Sequence, residues 1–503
     1  MKRARSGARP VALAIAVVAL LLMLPSTSSA QESFSEAWGP RYQSQALGTP
    51  PEPRRPRPPA GDALARLRAW HTTALDAVAL DHTPVQPGET RTFGENFGPA
   101  RTARALAIVQ VATFEAVNAI AGGHRSYLGL ARVPNASLDA AIAQASHDAL
   151  AGVFPSQAPR FDSLLTQDLE LIPNGQAESR GIALGRTAAA SMLARRANDG
   201  SVHTEPRVGI EYITSDVPPH WQQDPISQVP LALGALWSQV RPFVIRSASQ
   251  FRTPPPPPLG SADYAEAFEE VARLGGDGVV TPTQRNSDQT HAGTYWGYDG
   301  TPGLGTPPRM YNQIAAQIAQ QRGSNVVQTA RLFALINVAL ADAGLASWES
   351  KYFWDYWRPV TAVRRAAEDG NPATQPIADF TPLGAPASNL IGPNFTPPFP
   401  AYPSGHATFG GAVFGMLRMF YGTDQIPFTF VSDEYNGVTR DNAGNVRPRQ
   451  SRSFGTLSQA EEENGQSRVY LGIHWSFDKT EGITQGRRVA DFVIRNLFLP
   501  TSG

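Results

Sequence analysis

The stretch NVVQTARLFALINVALADAGLASWESK runs from Asn325 to Lys351 and indicates the fold class of the whole chain. Its apolar residues recur with helical spacing on nearly every face, which is the pattern of a helix that is buried all round. Gln328, Arg331 and Asp342 interrupt the apolar residues, so the stretch lacks the uninterrupted run of about 20 that a membrane span requires. We therefore predict a buried helix at the centre of a helical bundle.

Helical periodicity also dominates the sequence on both sides of this stretch, and strand signals are scarce. We predict further helices over Asp62–Leu80, Ala100–Ala121, Ser137–Val153, Arg160–Leu171, Ala177–Asn198, Ala262–Leu274, Met310–Gln321, Asp355–Glu368, Ser404–Phe420, Gln459–Gly472 and Ile483–Asn496. Phe428–Val431 is a minor strand candidate, and the proline run Pro254–Pro258 punctuates the middle of the chain. The sequence thus predicts an all-α protein whose two helical bundles, residues 62–259 and 260–503, share one core.

The N-terminus has the features of a secretory signal peptide over residues 1–30. A basic segment, Met1–Pro10, precedes an apolar run from Val11 to Leu24 and a small-residue site that ends at Ala30. We expect cleavage near Ala30 and a secreted or periplasmic protein, because the apolar run is short for an uncleaved membrane anchor. Residues 31–61 are polar and rich in proline, which predicts an extended arm or linker.

The overall charge and the absence of cysteine exclude some classes of protein. The chain has 43 basic and 43 acidic residues, and four of the basic ones lie in the first 30 positions, which hold no acidic residue. The remainder is therefore mildly acidic, unlike a nucleic-acid-binding protein with its basic surface. Without cysteine, stability in an oxidising compartment must come from the hydrophobic core rather than from disulfides.

Three segments of the C-terminal half combine fixed cations with histidines. The first is KYFWDYWRP, in which Lys351 and Arg358 are seven residues apart. On a continuous helix this spacing places both side chains on one face, two turns apart. Six aromatic residues surround the two cations in sequence, so the segment is expected to be buried, and buried cations need an anionic or polar partner. The first segment therefore predicts a cationic site inside the protein.

The second segment, YPSGH, contains Ser404, Gly405 and His406 directly before an apolar run. Serine is a good helix N-cap, and glycine lets the backbone approach a ligand closely. Free amides at the start of a helix form a ready anion site, and His406 in the first turn would suit general acid/base chemistry. Alone, this short segment is also consistent with an ordinary helix cap.

The third segment, SRVYLGIHWSFD, places His474 six residues after Arg468 and four residues before Asp478. Arg468 can clamp an oxyanion with two N–H groups. His474 is the candidate for a bond to the central atom of that oxyanion. Asp478 would orient the imidazole ring, although Ser476 or a backbone carbonyl could do so instead. Together the three segments predict one oxyanion pocket.

These segments resemble the three motifs of the superfamily that unites type 2 phosphatidic acid phosphatases with vanadium haloperoxidases. The pattern Lys-x6-Arg-Pro, Pro-Ser-Gly-His, Ser-Arg-x5-His-x3-Asp is met without a gap. Phosphatases of this superfamily form a phosphohistidine, whereas haloperoxidases hold vanadate and oxidise halides with peroxide. The segments FTPPFPAYPSGHATFGGA from Phe395, DAGLASWESK from Asp342 and YDG from Tyr298 resemble the haloperoxidases, especially the vanadium chloroperoxidases.

The resemblance implies one vanadate per chain, with vanadium bonded to His474 and phosphate as a competing analogue. It implies that the oxyanion is held by Lys351, Arg358, Ser404, Gly405 and Arg468. His406 would move protons and Lys351 would polarise the peroxide. Trp348 and Phe399 would flank the halide, while Asp299 would pair with Arg468.

The sequence therefore favours a secreted vanadium-dependent haloperoxidase that oxidises chloride or bromide with hydrogen peroxide to hypohalous acid. Its partners would be hydrogen peroxide, a halide and small organic acceptors, with no nucleic acid and no membrane span in the mature chain. One alternative is a secreted acid phosphatase that forms a phosphohistidine at His474. A second is a non-catalytic protein that binds vanadate or phosphate without turnover.

Overall fold

The computed structural model describes residues 33–45 and 56–501 of the chain. The predicted signal peptide, residues 1–30, and the central part of the predicted arm lie outside the described residues. The helices are α1 Phe34–Trp38, α2 Ala63–Asp81, α3 Pro99–Ala121, α4 Leu138–Val153, α5 Ala158–Leu171, α6 Gln176–Arg196, α7 Ala262–Leu274, α8 Ser287–Tyr295, α9 Pro307–Gln321, α10 Val326–Trp354, α11 Pro359–Arg364, α12 Gly405–Tyr421, α13 Leu457–Tyr470 and α14 Ser476–Asn496. Short 3₁₀ helices cover Pro155–Gln157, Trp237–Gln239, Ala248–Phe251, Ala366–Glu368 and Asp433–Tyr435.

The described strands are short and form two separate antiparallel pairs. They are β1 Gln43–Ser44, β2 Leu390–Ile391, β3 Phe428–Val431 and β4 Ser451–Phe454. Strand β1 pairs with β2, and β3 pairs with β4 in a register that places Phe428 opposite Phe454. The predicted strand at Phe428–Val431 is therefore confirmed.

Helix α10 is the central element and connects two groups of helices. The N-terminal group contains α3, α4 and α6, and the C-terminal group contains α12 and α14. Helix α10 packs against α3 on one side and against α12 and α14 on the other, while α4 packs on α3 and α6. One large apolar cluster contains buried side chains from both groups, among them Leu106 of α3, Phe333 of α10 and Phe414 of α12. The prediction of an all-α protein in which two bundles share one core is confirmed.

Two described helices, α3 and α10, are long and apolar enough to cross a bilayer by length and composition. Their most apolar windows are 89% and 94% buried inside the protein. Burial of this extent is that of core helices, as the interrupted apolar pattern of Asn325–Lys351 predicts.

Helices α12 and α14 lie unusually close together because glycines face each other between them. A Cβ atom on Gly486 would lie 2.0 Å from the backbone oxygen of Thr408, and one on Gly411 would lie 2.4 Å from that of Ile483. Neither position has room for a side chain. This close approach brings the start of α12, at Ser404, next to the start of α14, just after His474.

The prediction of one helix over Asp355–Glu368 is wrong. Helix α10 ends at Trp354, and Asp355 adopts a left-handed conformation with φ 48° and ψ 43°. Arg358 is extended, as expected for a residue before proline, and Pro359 begins the short helix α11. The chain therefore turns between Lys351 and Arg358, and α14 also begins earlier than predicted, at Ser476 rather than Ile483.

The prediction of an extended arm needs correction for Ser33–Gln45, which we call the N-terminal wedge. It contains α1, with Ser33 and Glu36 forming a capping box, and β1, which pairs with β2. Trp38 and Tyr42 are only 3% and 4% exposed. Burial of these two aromatic side chains outweighs the polar, proline-rich composition that favours a free arm.

Candidate active site

The three predicted segments meet where α10, α12, α13 and α14 converge. Lys351 lies in the last turn of α10, Arg358 is the N-cap of α11, and Arg468 lies in the last turn of α13. Ser404 is the N-cap of α12, and His474 occupies the turn between α13 and α14. All five side chains are buried. The structure thus brings together residues that are spread over more than 120 positions of the sequence.

The Lys351 ammonium is surrounded by backbone carbonyl groups of the segment that precedes α12. It donates to the oxygens of Pro400 and Ala401, both at 2.9 Å, and of Pro403 at 2.5 Å. Burial, reinforced by the charge of Arg358, lowers the pKa of Lys351 well below its ordinary value. Three acceptors nevertheless match the three N–H groups of the charged form, because a neutral amine has only two.

The Arg358 guanidinium also binds a carbonyl group of the segment that precedes α12, although a turn of the chain separates Arg358 from Lys351. Its Nε donates to Phe399 O at 2.9 Å, and its Nη1 lies 2.9 Å from both Ile473 O and His474 Nε2. Lys351 and Arg358 therefore converge as predicted, although not on one helical face. Because buried cations must find polar partners, carbonyl oxygens hold both in place.

Asp478 fixes the orientation of the His474 ring. The distance between His474 Nδ1 and Asp478 Oδ2 is 2.7 Å, and the Trp475 amide donates to the same oxygen at 3.1 Å. Burial and then the charge of Arg358 lower the pKa of His474 well below its usual range. The ring is therefore neutral, with its proton on Nδ1 and an electron pair on Nε2 that accepts from Arg358 Nη1 at 2.9 Å. Burial raises the pKa of Asp478 to about 7.

Arg468 differs from the other two cations because part of its guanidinium has no protein partner. Its Nη2 donates to Asp299 Oδ1 at 2.6 Å. Its Nε and Nη1, and the second carboxylate oxygen of Asp299, have no hydrogen-bond partner among the described residues, although all three are buried. Burial raises the pKa of Asp299, and the charge of Arg468 opposes this effect. Buried donors without a partner are costly, so Arg468 is suited to hold an anion.

The start of α12 has the geometry that the sequence predicts. The Ser404 hydroxyl caps the helix by accepting from the Ala407 amide, and Gly405 and His406 form the first turn. His406 Nε2 lies 2.8 Å from the oxygen of Gly297, which can only accept. Burial, with the charge of Arg468, lowers the pKa of His406 well below its usual range. The neutral ring therefore carries its proton on Nε2, which leaves Nδ1 free to accept one.

A cavity extends from these groups and has two chemically different sides. We call Asp299, Gly405, His406, Arg468 and His474 the polar wall. We call the side chains of Phe97, Leu233, Trp348, Phe395 and Phe399, which line the same cavity, the apolar wall. The Trp348 and Phe399 rings lie 5.0 Å apart, and Lys351 Nζ lies 5.8 Å and 5.0 Å from their centres. The two predicted halide-site residues are thus adjacent to the polar wall.

The structure brings every predicted site residue into or directly behind this cavity. Lys351, Arg358, Ser404 and Asp478 are not among the lining residues but lie next to three of them, Phe399, Gly405 and His474. Sequence reasoning missed Phe97, Leu233 and Phe395 of the apolar wall, and the Gly297 carbonyl that orients His406. No sequence pattern marks a backbone carbonyl that orients a side chain. Phe395, in contrast, lies in the same segment as the predicted residue Phe399 and could have been found from it. His291, close to Asp299 in sequence, instead contacts Tyr435 and Arg452.

The arrangement can bind one tetrahedral or trigonal-bipyramidal oxyanion. Arg468 offers two buried N–H donors, Gly405 a backbone amide at a helix start, and His474 an electron pair at a fixed position. His406 supplies a proton acceptor close by. Such a site is built for charge stabilisation and proton transfer at an oxyanion beside an apolar niche.

Comparisons with known proteins agree with this class of site. The family described as the VCPO second helical-bundle domain matches residues 331–499, which hold all three motifs. Vanadium chloroperoxidase from Curvularia inaequalis is 40% identical over 281 residues. The matched region covers 47% of this chain and 46% of that enzyme, so it spans less than half of the relative's length.

The fold comparison extends over most of the chain. A bacterial vanadium-dependent iodoperoxidase superposes with a TM-score of 0.66 at 25% identity, covering 86% of this chain and 97% of that one. The apo form of a bacterial vanadium-dependent chloroperoxidase shares the fold, with a TM-score of 0.59 at 18% identity over 80% of this chain and 95% of that one. By fold the protein is all-α, and its site has the buried donors and histidines that an oxyanion pocket requires.

Residues 331–499 thus match the family described as the VCPO second helical-bundle domain, and the chain is similar in sequence and fold to vanadium-dependent haloperoxidases.

Proposed function

We propose that the protein is a vanadium-dependent haloperoxidase that oxidises chloride or bromide with hydrogen peroxide to hypohalous acid. One observation carries the proposal most directly. The buried Nε and Nη1 of Arg468 have no hydrogen-bond partner among the described residues, and Arg468 and His474 line a cavity that Trp348 and Phe399 also line. A phosphatase needs the polar wall, but it has no need for an apolar niche beside it.

The residues present fit a vanadate ion. His474 Nε2 would bond the vanadium, and Arg468, the Gly405 amide and the Ser404 hydroxyl would bind its oxygens, with Lys351 and Arg358 adding positive charge. When bound, vanadate supplies Lewis acidity towards peroxide without changing its oxidation state. Phosphate, like vanadate, is a negatively charged tetrahedral oxyanion, so we expect it to compete with vanadate for the site.

The chain's own residues would contribute electrostatics, orientation and proton transfer. Asp478 keeps the His474 proton on Nδ1, so that Nε2 always presents an electron pair. Lys351 and Arg358 are held rigidly by carbonyl groups, and they therefore stabilise negative charge without reorganising. His406 Nδ1 can take a proton from hydrogen peroxide, because its other nitrogen is committed to the Gly297 carbonyl.

The apolar wall would hold a weakly hydrated halide. Trp348 donates its indole N–H to Leu233 O at 3.0 Å, which fixes the ring, and Phe399 packs against it. Large halides give up water more readily than compact anions, and nearby cations would retain them. The proposal includes export of the protein with cleavage near Ala30, on the basis of the sequence of residues 1–30.

The test is halogenation of a 1,3-diketone by the purified protein with hydrogen peroxide and either chloride or bromide. We expect halogenation that depends on added orthovanadate. In parallel, hydrolysis of a phosphate ester is measured on the vanadate-free protein. Ester hydrolysis without any halogenation would assign the site to the phosphatase branch and overturn the proposal.

An Arg468→Lys variant sharpens this test. Lysine keeps the positive charge but loses the planar pair of N–H donors, so we expect roughly tenfold weaker vanadate binding. Arg495→Lys is the matched control, because Arg495 is an exposed residue near the end of α14. Equal effects of the two substitutions would show that Arg468 does not hold the anion.

A further inference from the structure

The N-terminal wedge, Ser33–Gln45, makes no contribution to the polar wall, yet it packs behind the apolar wall. Three loops supply most of that wall, namely residues 93–98, 226–234 and 389–399. The wedge touches all three loops. The wedge therefore contacts the loops that determine the volume of the apolar part of the cavity beside the oxyanion site.

The strongest contact is between Trp38 and Phe395. The two rings are edge to face with their centres 5.1 Å apart, and Tyr42 approaches Phe395 at 6.3 Å. The Tyr42 hydroxyl donates to Pro393 O at 3.0 Å, and β1 pairs with β2 at Leu390–Ile391. The loop that carries Phe395 into the cavity is thus held on two sides by the wedge.

A second line of contacts runs from Phe34 to Phe97. Phe34 meets Phe93 edge to face at 5.7 Å, and Phe93 meets Phe97 at 5.4 Å. Phe97 lines the cavity beside Gly98, the N-cap of α3. The wedge therefore supports the apolar wall at a second point, through a different loop.

The third loop, residues 226–234, is held through the turn that follows α1. The Arg41 guanidinium donates to Ile226 O. Gly39 has φ 78°, and a Cβ there would lie 3.2 Å from the Pro230 ring, so the wedge backbone packs closely on this loop. The Leu233 amide in turn donates to Pro398 O at 3.0 Å, which links this loop to the one that carries Phe395 and Phe399.

We propose that the N-terminal wedge determines the size selectivity of the cavity, with Trp38 as the main positioning residue. The proposal rests on the proposed function, because it concerns the space beside the same oxyanion site. Trp38 holds Phe395 and, with Phe34, keeps the apolar wall close to the polar wall. The wedge thereby limits the bulk of an apolar group that can lie in front of the bound oxyanion. In a haloperoxidase that group would belong to the organic acceptor.

Packing rather than hydrogen bonding holds Trp38. Its indole N–H is buried and has no hydrogen-bond partner among the described residues. Replacement by phenylalanine therefore removes no hydrogen bond and retains a ring, whereas replacement by alanine removes the contact with Phe395. These two substitutions separate the role of the ring from general effects of mutating a buried residue.

The experiment uses the vanadate-free protein and calorimetric titration with inorganic phosphate, methylphosphonate and phenylphosphonate. Binding of these probes requires no catalytic turnover. For Trp38→Ala, we expect phenylphosphonate affinity to rise relative to methylphosphonate affinity by roughly fivefold or more. The affinity for inorganic phosphate should stay within about twofold, because the polar wall is untouched, and Trp38→Phe should restore the wild-type ratio.

An unchanged ratio in Trp38→Ala, with normal phosphate binding, would overturn the role of the wedge and leave the proposed function standing. Failure of the wild-type protein to bind phosphate would instead overturn the proposed oxyanion site, and the inference with it. If Trp38→Ala does not fold, Phe34→Ala provides the same test at a half-buried position, with a smaller change in the same direction. An unchanged ratio in a folded Phe34→Ala protein would then count against the proposal.

Discussion

The polar and apolar walls line the same cavity but are built in different ways. Four of the five polar-wall residues lie between Gly405 and His474, in motifs of a few residues, and their orientations are fixed by hydrogen bonds of definite length. The apolar wall is assembled from positions as distant as Phe97 and Phe399, and ring packing holds it. The chemistry is therefore encoded locally, whereas the shape of the cavity depends on long-range packing.

This difference predicts that substitutions in the two walls have different effects on binding. A change in the polar wall should alter oxyanion affinity with little effect on selectivity. A change behind the apolar wall should alter selectivity with little effect on oxyanion affinity.

Removal of the histidine that would bond vanadium should have the largest effect. We expect His474→Ala to weaken vanadate binding by at least about 100-fold, because no other described side chain presents an electron pair at that position. Stoichiometric titration with orthovanadate measures the loss. His291→Ala, outside the cavity, is the control and should bind normally. Retention of wild-type affinity in His474→Ala would break the assignment of the polar wall.

The residue that orients His474 should matter nearly as much. Asp478→Asn keeps the shape of the side chain but removes the charge that holds the proton on Nδ1, so we expect vanadate affinity to fall by about 10- to 100-fold. The exposed Asp491 provides the control substitution, Asp491→Asn. If the two variants bind vanadate alike, then Arg358 rather than Asp478 sets the state of the ring.

A buried histidine behind the apolar wall should make stability depend on pH. His82 Nε2 accepts from the Gly98 amide at 3.1 Å, and burial lowers the pKa of His82 to about 4. The unfolded chain takes up this proton as the pH falls below about 6.5, whereas the folded chain does so only near 4. Stability is therefore lost as the pH falls through this window, by about 2 kcal/mol between pH 6.5 and 5.

The free energy of unfolding in urea, measured at pH 7 and pH 5, tests this expectation. His82→Gln keeps an acceptor for the Gly98 amide but does not titrate. The difference between the stability changes of the wild-type protein and of His82→Gln removes the contributions of other titrating groups. One such group is Asp81, because burial raises the pKa of its carboxyl to about 8. Equal losses of stability in the two proteins would show that His82 does not contribute.

The smallest predicted effect concerns one hydroxyl of the wedge. Tyr42→Phe removes the hydroxyl that donates to Pro393 O, so we expect a loss of about 1 kcal/mol in the free energy of unfolding. Vanadate affinity should be unchanged. A fall in vanadate affinity in this variant would show that the two walls are coupled and would contradict the division between them.

The two walls also differ in how far they could be predicted from the sequence. The fold class followed from apolar periodicity in Asn325–Lys351, and four of the five polar-wall residues followed from three short motifs. Asp299 followed only from the resemblance to the haloperoxidases. The left-handed conformation of Asp355 escaped prediction, because a residue other than glycine in that conformation leaves no local signal. The docking of Trp38 escaped prediction because its partner, Phe395, lies more than 350 residues away and proline-rich composition favours a free arm.

The central claim is that the polar wall binds one oxyanion through His474 and Arg468. Its most direct test is calorimetric titration of the purified wild-type protein with orthovanadate, in the absence and presence of phosphate. We expect one vanadate per chain, with an apparent affinity that weakens in proportion as phosphate is added. Absence of saturable vanadate binding, or vanadate binding that phosphate does not affect, would contradict it.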